Sequence, residues 1–212
     1  MSAALIWLAS YPRSGNTFLR TVLRQCFGLR SASIYRDDLM RLPVIEGLAG
    51  HIEHGPDGRL DFADQPLQLI KTHAPPFDGR PAIYVLRDGR DAAISLYHFM
   101  HERRALEDIV TGSTQFGSWA DHVTAWSPTA RPNTLLLRYE ELVCDLGCCV
   151  DKIADYLKRT PNSRTMPPRD ELAKLDGHWI RPESAERATL DGPALDRFWE
   201  VNGAAMRAYG YR

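Results

Sequence analysis

The eight residues YPRSGNTF, at positions 11–18, constrain the fold of this chain more than any other stretch. The apolar run at 5–9 is typical of a buried parallel strand, and apolar residues recur at helical spacing over 19–24. Between them, Pro12 cannot continue strand pairing and Gly15 permits a close approach of the backbone. The stretch therefore predicts a strand, a tight turn and a helix, which is the unit of an α/β fold.

The start of that predicted helix is an expected anion-binding site. Asn16 or Thr17 can cap it, and its free N–H groups and positive dipole end favour a phosphate or sulfate. Arg13, Ser14 and Thr17 add side-chain donors around the same point. The alternative is an ordinary turn that happens to contain Ser and Gly. The stretch is not a kinase P-loop, GxxxxGK[ST], because Asn16 stands where that motif has Lys.

The composition is that of one globular domain over residues 1–212, with 44% hydrophobic and 25% charged residues. A formal net charge of −1 argues against a general binder of nucleic acid or anionic membranes, so any anion site must be local. No stretch approaches the ~18 apolar residues of a membrane span, and no basic region precedes the first apolar run. We therefore expect a cytoplasmic protein.

Cysteines and one pair of histidines are weak candidates for a metal site. Matching ligand clusters are absent from the sequence, so buried free thiols are the expected state of Cys26, Cys144, Cys148 and Cys149. The segment 30–65 is rich in Gly and Pro and is expected to be irregular. Within it, His51 and His54 fit a solvated turn better than a metal site. We expect no metal.

Three further strands are predicted, and each ends in polar residues: 67–70 before Lys71 and His73, 81–86 before Arg87, and 133–139 with Arg138 and Tyr139 at its end. Ligands of open α/β sheets bind at the carboxyl ends of the strands. Lys71 and His73 alternate along an extended chain, so both side chains are expected to face one side. This placement favours His73 as a general base over a structural histidine.

A second anion site is expected between Arg87 and Ser95, which lies two turns into the helix that follows. The alternative is a surface helix whose Arg and Asp residues pair with one another. Further along, residues 103–119 are expected to form a flap, and helices are expected over 143–158 and 193–209. The alternation of strands and helices predicts a mainly parallel sheet with helices on both faces.

Four pieces occur in one order: YPRSGNTF at 11–18, KTH at 71–73, YVLRDGRDAAISLYHF at 84–99 and LRYEEL at 137–142. Together they resemble the sulfotransferases that use 3′-phosphoadenosine 5′-phosphosulfate (PAPS). The resemblance implies a single α/β domain with the three-layer sandwich of P-loop NTPases. It also implies in-line transfer of a sulfuryl group from PAPS to a hydroxyl or amine of a small-molecule acceptor, without a metal.

The resemblance assigns roles to particular residues. The 5′-phosphosulfate would be held by Arg13, Ser14, Gly15, Asn16 and Thr17, and the 3′-phosphate by Arg87 and Ser95. Phe18 would lie beside the adenine, Tyr139 would contact the nucleotide, and Phe99 would line the acceptor pocket. His73 matches the catalytic base, with Lys71 and Arg13 stabilising charge on the transferring group.

One part of the family pattern is absent from this sequence. The Arg-Lys-Gly segment that closes on the 3′-phosphate near the C-terminus has no match, and Arg181 or Arg187 are the candidates to replace it. Two other functions stay open at this point: a P-loop kinase or nucleotide hydrolase, and a module that binds adenosine bisphosphate without catalysis. No nucleic-acid partner is expected, and a homodimer stays open.

Overall fold

The computed structural model describes residues 4–39, 43–100, 103–175 and 189–212. Five parallel strands form one sheet: β1 (Ala4–Ser10), β2 (Ala32–Ser33), β3 (Leu67–Thr72), β4 (Ala82–Leu86) and β5 (Thr134–Arg138). Their order across the sheet is β2-β3-β1-β4-β5. The predicted mainly parallel sheet is confirmed.

Strand β1 lies at the centre of the sheet, between β3 and β4. In register, Ala9 stands opposite Thr72 on one side and Tyr84 on the other. The carboxyl ends of these three strands therefore meet at one edge, which is where polar residues were expected to converge.

Helices cover both faces of the sheet, as predicted. In chain order they are α1 (Asn16–Phe27), α2 (Pro43–Ala49), α3 (Gly89–Phe99), α4 (Leu106–Thr111), α5 (Trp119–Trp126), α6 (Tyr139–Cys144), α7 (Leu146–Leu157), α8 (Arg169–Leu175) and α9 (Gly192–Ala208). Helices α1 and α7 pack on one face, and α3, α4, α5 and α9 pack on the other.

Successive side chains of a strand point to opposite faces of the sheet, and this alternation produces two separate hydrophobic cores. In β1, Leu8 points into the core beneath α1 and α7, whereas Trp7 and Ala9 point into the core beneath α3 and α5. Trp119 and Trp126 are 1% exposed and belong to the second core. A strand that is buried on both faces requires an almost continuous apolar sequence, which β1 has.

The structure corrects several local predictions. The segment 30–65 contains β2 and α2, and the expected flap at 103–119 contains α4. The helix expected over 143–158 is interrupted at Asp145, whose carboxylate accepts a hydrogen bond from the Cys148 N–H and caps α7. All four cysteines are free, as predicted. Cys26 and Cys149 are buried, but Cys144 and Cys148 are exposed, so the prediction of burial is wrong for these two.

No helix in the described part of the chain is both long enough and apolar enough to cross a membrane.

Candidate active site

The candidate site lies at the carboxyl edge of the sheet. Residues 11–15 leave β1 there, His73 follows β3, Arg87 follows β4, and Tyr139 follows β5. The strand order brings these four segments together although Arg13 and Tyr139 lie 126 positions apart in the sequence. The polar residues that follow the strands therefore meet at one edge of the sheet, as the sequence predicted.

The loop before α1 has a strained backbone and a close neighbour. Gly15 has φ 100° and Arg13 has φ 64°, both in the left-handed region that favours glycine. A Cβ on Gly15 would overlap the ring of Tyr139, whose Cδ2 and Cε2 atoms are the nearest to this position. The ring also contacts the Arg87 guanidinium, 4.6 Å from its centroid. The loop, Tyr139 and Arg87 thus form one packed unit.

The buried polar atoms of this unit that lack a hydrogen-bond partner among the described residues include the Ser14 hydroxyl and Arg87 Nε. The other Arg87 nitrogens donate to the Arg13 carbonyl oxygen at 2.9 Å and to Asp91 Oδ2 at 3.4 Å. Buried donors without partners are rare in proteins because each costs about 1–3 kcal/mol. Donors of this kind, beside the free N–H groups at the start of α1, fit a ligand with several anionic oxygens.

Arg13 links the two anion sites that the sequence predicted separately. Its Nε donates to the Ser95 hydroxyl at 3.3 Å, and its guanidinium lies 4.7 Å from the centroid of the Phe99 ring. The first predicted anion site therefore touches α3, which carries the second. Phe99 is brought into the site by this contact.

His73 is held in one tautomer by a backbone contact. Its Nδ1 lies 2.7 Å from the Ser10 carbonyl oxygen, which can only accept a hydrogen bond. Nδ1 therefore carries the proton of the neutral ring, and Nε2 keeps its lone pair. Burial, and next the charge of Lys71, lower the pKa of His73 well below its usual value. The imidazole is neutral near pH 7, which is the state a general base requires.

Lys71 does not accompany His73 in the way the alternating pattern predicted. Strand β3 ends at Thr72, so His73 lies beyond it, and the Lys71 Nζ donates to Asp38 Oδ1 at 2.8 Å on the α1 side of the sheet. Both side chains nevertheless contact Tyr35, with Lys71 Nζ 5.8 Å and the His73 ring 5.9 Å from its ring centroid. Lys71 and His73 therefore both contact Tyr35, but, contrary to the prediction, their side chains do not face the same side of the strand.

Sequence reasoning missed several residues that shape the site. Tyr35 accepts a hydrogen bond from the His73 N–H at 3.0 Å, and Phe116 meets the His73 ring edge-on at 6.2 Å between centroids. Asp38 binds Lys71 and the fully buried Arg20. One signal was present: Arg20 lies within the buried stretch of α1, where a charged residue requires a partner.

The prediction that His51 and His54 lie in a solvated turn is wrong. His51 is only 7% exposed, and its Nδ1 lies 2.6 Å from Arg20 Nη2. Burial, and next the charge of Arg20, lower the pKa of His51 to about 4, so it accepts this hydrogen bond as a neutral ring. Within the described ranges, no three His, Cys, Asp or Glu side chains are grouped as metal ligands.

The remaining predicted site residues lie at the start of α1 or outside the described part of the chain. Asn16 donates to the Leu8 carbonyl oxygen at 2.9 Å and so ties the start of α1 to β1. Thr17 and Phe18 are half-buried at the same helix end. Arg181 and Arg187 lie outside the described residues.

Comparison with known proteins agrees with this geometry. The family profile described as "Sulfotransferase domain" matches residues 4–183 of the chain. The chain belongs to the sulfotransferase family. Human sulfotransferase 1E1 is 28% identical over 177 residues, which cover 73% of this chain and 59% of that protein. Human sulfotransferase 2B1 is 30% identical over 177 residues, which cover 73% of this chain and 46% of that protein.

A solved structure shares the fold of this sulfotransferase family member. Retinol dehydratase was crystallised with retinol and adenosine 3′,5′-bisphosphate (PAP). It superposes on this chain with a TM-score of 0.62 at 18% identity, and the superposition covers 98% of this chain and 82% of that one. The three-layer α/β architecture is confirmed by this likeness. The chain matches 59% of the length of human sulfotransferase 1E1.

Proposed function

We propose that this protein transfers a sulfuryl group from PAPS to a hydroxyl or amine of a small-molecule acceptor, with His73 as the general base. The observation that carries the proposal is the position of His73. A neutral imidazole, fixed through Nδ1 on the Ser10 carbonyl oxygen, follows the strand next to an anion-binding loop.

The donor would be bound through the packed unit at the start of α1. Ser14 and Arg87 supply buried donors that lack partners in the described part of the chain, and the first N–H groups of α1 supply more. Arg87 and Ser95 would hold the 3′-phosphate, and residues 13–17 the 5′-phosphosulfate. A nucleotide with anionic groups at both positions is the ligand that uses both sites.

The chemistry follows from the two sides of the site. His73 Nε2 would take the proton from the acceptor while a bond forms between the acceptor oxygen or nitrogen and sulfur. The bond from sulfur to the bridging oxygen breaks, and adenosine 3′,5′-bisphosphate (PAP) leaves. Arg13 and Lys71 would stabilise the negative charge that develops on the transferring group and the leaving oxygen. As in phosphoryl transfer, positioning and charge stabilisation would supply most of the rate.

The acceptor side is supported by aromatic groups around the base. Tyr35 stacks on the His73 ring, Phe116 meets its edge, and Phe99 lies under Arg13. Such walls fit the apolar body of a small molecule whose hydroxyl or amine reaches the imidazole.

A kinase or nucleotide hydrolase is less well supported. It would require a Lys directly before Thr17 and carboxylates at the strand ends to hold Mg²⁺. The chain has Asn16 at the first position, and Lys71, Arg87 and Arg138 at the strand ends.

A thermal melt tests the nucleotide specificity first. PAP at 100 times its dissociation constant stabilises a protein by about 2.7 kcal/mol, which corresponds to a rise in Tm of about 5–10 °C for a chain of this size. We expect this rise with PAP and none with ATP and Mg²⁺. The reverse result would contradict the assignment of Arg87 and Ser95.

A substitution at His73 separates catalysis from binding. His73→Asn keeps a side-chain N–H where Nδ1 donates to the Ser10 carbonyl oxygen, but it has no group in place of Nε2. We expect sulfuryl transfer to be lost and the affinity for PAP to stay within about tenfold. Full activity in this variant would refute the base assignment. Binding of PAP without transfer by the unmodified protein, across a broad acceptor screen, would favour the non-catalytic module.

A further inference from the structure

A buried cluster of charged groups lies behind the candidate site, on the α1 side of the sheet. Asp38 is its centre: one carboxylate oxygen accepts from Lys71 Nζ at 2.8 Å, and the other accepts from Arg20 Nη1 at 2.9 Å. The side chains of Lys71 and Asp38 are each 5% exposed, and that of Arg20 is completely buried. Charges buried to this extent require partners, and here each has one.

Arg20 is anchored from several directions. Its Nε donates to the Ser31 hydroxyl at 2.8 Å, and its Nη2 lies 2.6 Å from His51 Nδ1 and 3.3 Å from the Ser31 carbonyl oxygen. With Asp38 included, all three guanidinium nitrogens are used. An arginine fixed in this way holds the Asp38 carboxylate in one position, and the carboxylate in turn fixes the Lys71 ammonium.

The cluster is connected to the base through Tyr35. The Tyr35 ring contacts both Lys71 Nζ and the His73 ring, and its hydroxyl accepts from the His73 N–H. Tyr35 precedes Asp38 in a turn in which the Asp38 N–H donates to the Tyr35 carbonyl oxygen at 3.2 Å. Asp38 is therefore in direct contact with Lys71 and with the turn that carries Tyr35.

We propose that Asp38 is a positioning residue of the transfer site: its carboxylate, anchored by Arg20, holds the ammonium of Lys71 charged and in place for the reaction. The proposal rests on the sulfuryl transfer proposed above. It adds a residue that does not touch the donor or the acceptor but acts through Lys71.

The electrostatic surroundings show why Lys71 needs this partner. Burial is the largest influence and lowers the pKa of Lys71, to about 8, while Asp38 acts in the opposite direction. Other charged or titratable groups that act on Lys71 or respond to its charge include Arg20 on α1, Arg13 in the loop, and His51 and His73. Burial alone would raise the pKa of Asp38, but Lys71 and Arg20 outweigh it and lower that pKa to about 2. Asp38 is the one carboxylate in this set.

The direct test is the titration of Lys71 by NMR in protein with ¹³C-labelled lysine. The chain has only four lysines, and Lys152, Lys158 and Lys174 are exposed, so they serve as internal controls. Asp38→Asn removes the charge with little change of shape. We expect the midpoint of Lys71 to fall by about one pH unit or more in this variant, with the other three unchanged. An unchanged midpoint for Lys71 would overturn the proposal.

The pH dependence of kcat distinguishes an effect on the charge of Lys71 from a purely structural role of Asp38. For a fall of one unit from a midpoint near 8, the charged fraction of Lys71 at pH 8 drops about fivefold but changes little at pH 6. We therefore expect kcat of Asp38→Asn to fall about fivefold more at pH 8 than at pH 6, with the affinity for PAP unchanged at pH 6, where Lys71 stays charged. An equal loss at both pH values would refute the proposal.

Two further variants keep the test decisive. Asp37→Asn removes the adjacent, exposed carboxylate and is expected to leave the Lys71 titration and kcat unchanged. If Asp38→Asn does not fold, Asp38→Glu keeps the charge but displaces it. Asp38→Glu is expected to retain the Lys71 midpoint within about half a unit and to lose kcat at every pH; unaltered kcat would overturn the proposal. Failure of the proposed function itself would show as absent PAP binding and transfer in the unmodified protein, while the NMR titration would still report on the Asp38–Lys71 pair.

Discussion

Gly15→Ala is expected to destabilise the protein through two separable effects. Gly15 has φ 100°, and an alanine forced into the left-handed region costs about 1–2 kcal/mol. The new Cβ would also lie 3.0 Å from Tyr139 Cε2 and overlap the rest of that ring edge, so the ring must move. Repacking of this kind typically costs about 1–3 kcal/mol. The sum is about 2–5 kcal/mol.

The loss is measurable by thermal or urea unfolding. For a chain of about 200 residues, 2–5 kcal/mol corresponds to a fall in Tm of about 4–20 °C. Gly79→Ala is the matched control, because Gly79 is exposed, has no left-handed φ, and a Cβ added to it would meet no atom within 4 Å. Its change in free energy of unfolding is expected to stay within about 0.5 kcal/mol.

A double-mutant comparison separates the backbone effect from the steric effect. In a Tyr139→Ala background the ring is absent, so Gly15→Ala is expected to cost only the backbone part of about 1–2 kcal/mol. If Gly15→Ala costs the same in both backgrounds, the ring does not limit the space at Gly15. A cost below about 0.5 kcal/mol in the unmodified background would refute both parts of the reasoning.

Three other predictions follow from the structure. Because burial and then Lys71 lower the pKa of His73, kcat/KM is expected to stay flat between about pH 7 and pH 6, where an unshifted histidine base would lose half its activity near pH 6.5. Under native conditions a thiol reagent is expected to modify two cysteines quickly and two only on unfolding; fast sites are Cys144 and Cys148, and slow sites are Cys26 and Cys149. Asn202→Leu is expected to destabilise by about 2–5 kcal/mol in urea unfolding, because buried backbone groups of Ala120 and Val110 lose their partner, whereas exposed Asn162→Ala stays within about 0.5 kcal/mol.

Local signals predicted the parts of the site that lie within one strand-turn-helix unit. Pro12 and Gly15 marked the loop, and the apolar runs around it marked β1 and α1, since these signals depend on backbone preferences of neighbouring residues. Asp88 precedes α3 and accepts a hydrogen bond from the Arg90 N–H, a capping contact for which Asp is a preferred residue. The break between α6 and α7 was missed, because the apolar spacing continues through Asp145 and only the capping hydrogen bond reveals the end.

Strand patterns and the polar residues after each strand were enough to predict the class of fold and the edge of the sheet at which the candidate site lies. A chain with polar residues after each of several buried strands must bring them to one edge when the strands are parallel, whatever the details of packing. This is why His73, Arg87 and Tyr139 were identified correctly as residues of one edge, far apart as they are in the chain.

The partners of the buried charges, by contrast, depend on how distant elements of the fold pack together. The direction of Lys71, its pairing with Asp38 and the anchoring of that carboxylate by Arg20 join residues 18 and 33 positions apart. Periodicity cannot reveal such pairs, because they depend on how β2, α1 and β3 pack against one another. Once these groups are removed from water, the cost of leaving a charge without a partner selects one arrangement among many that the sequence permits.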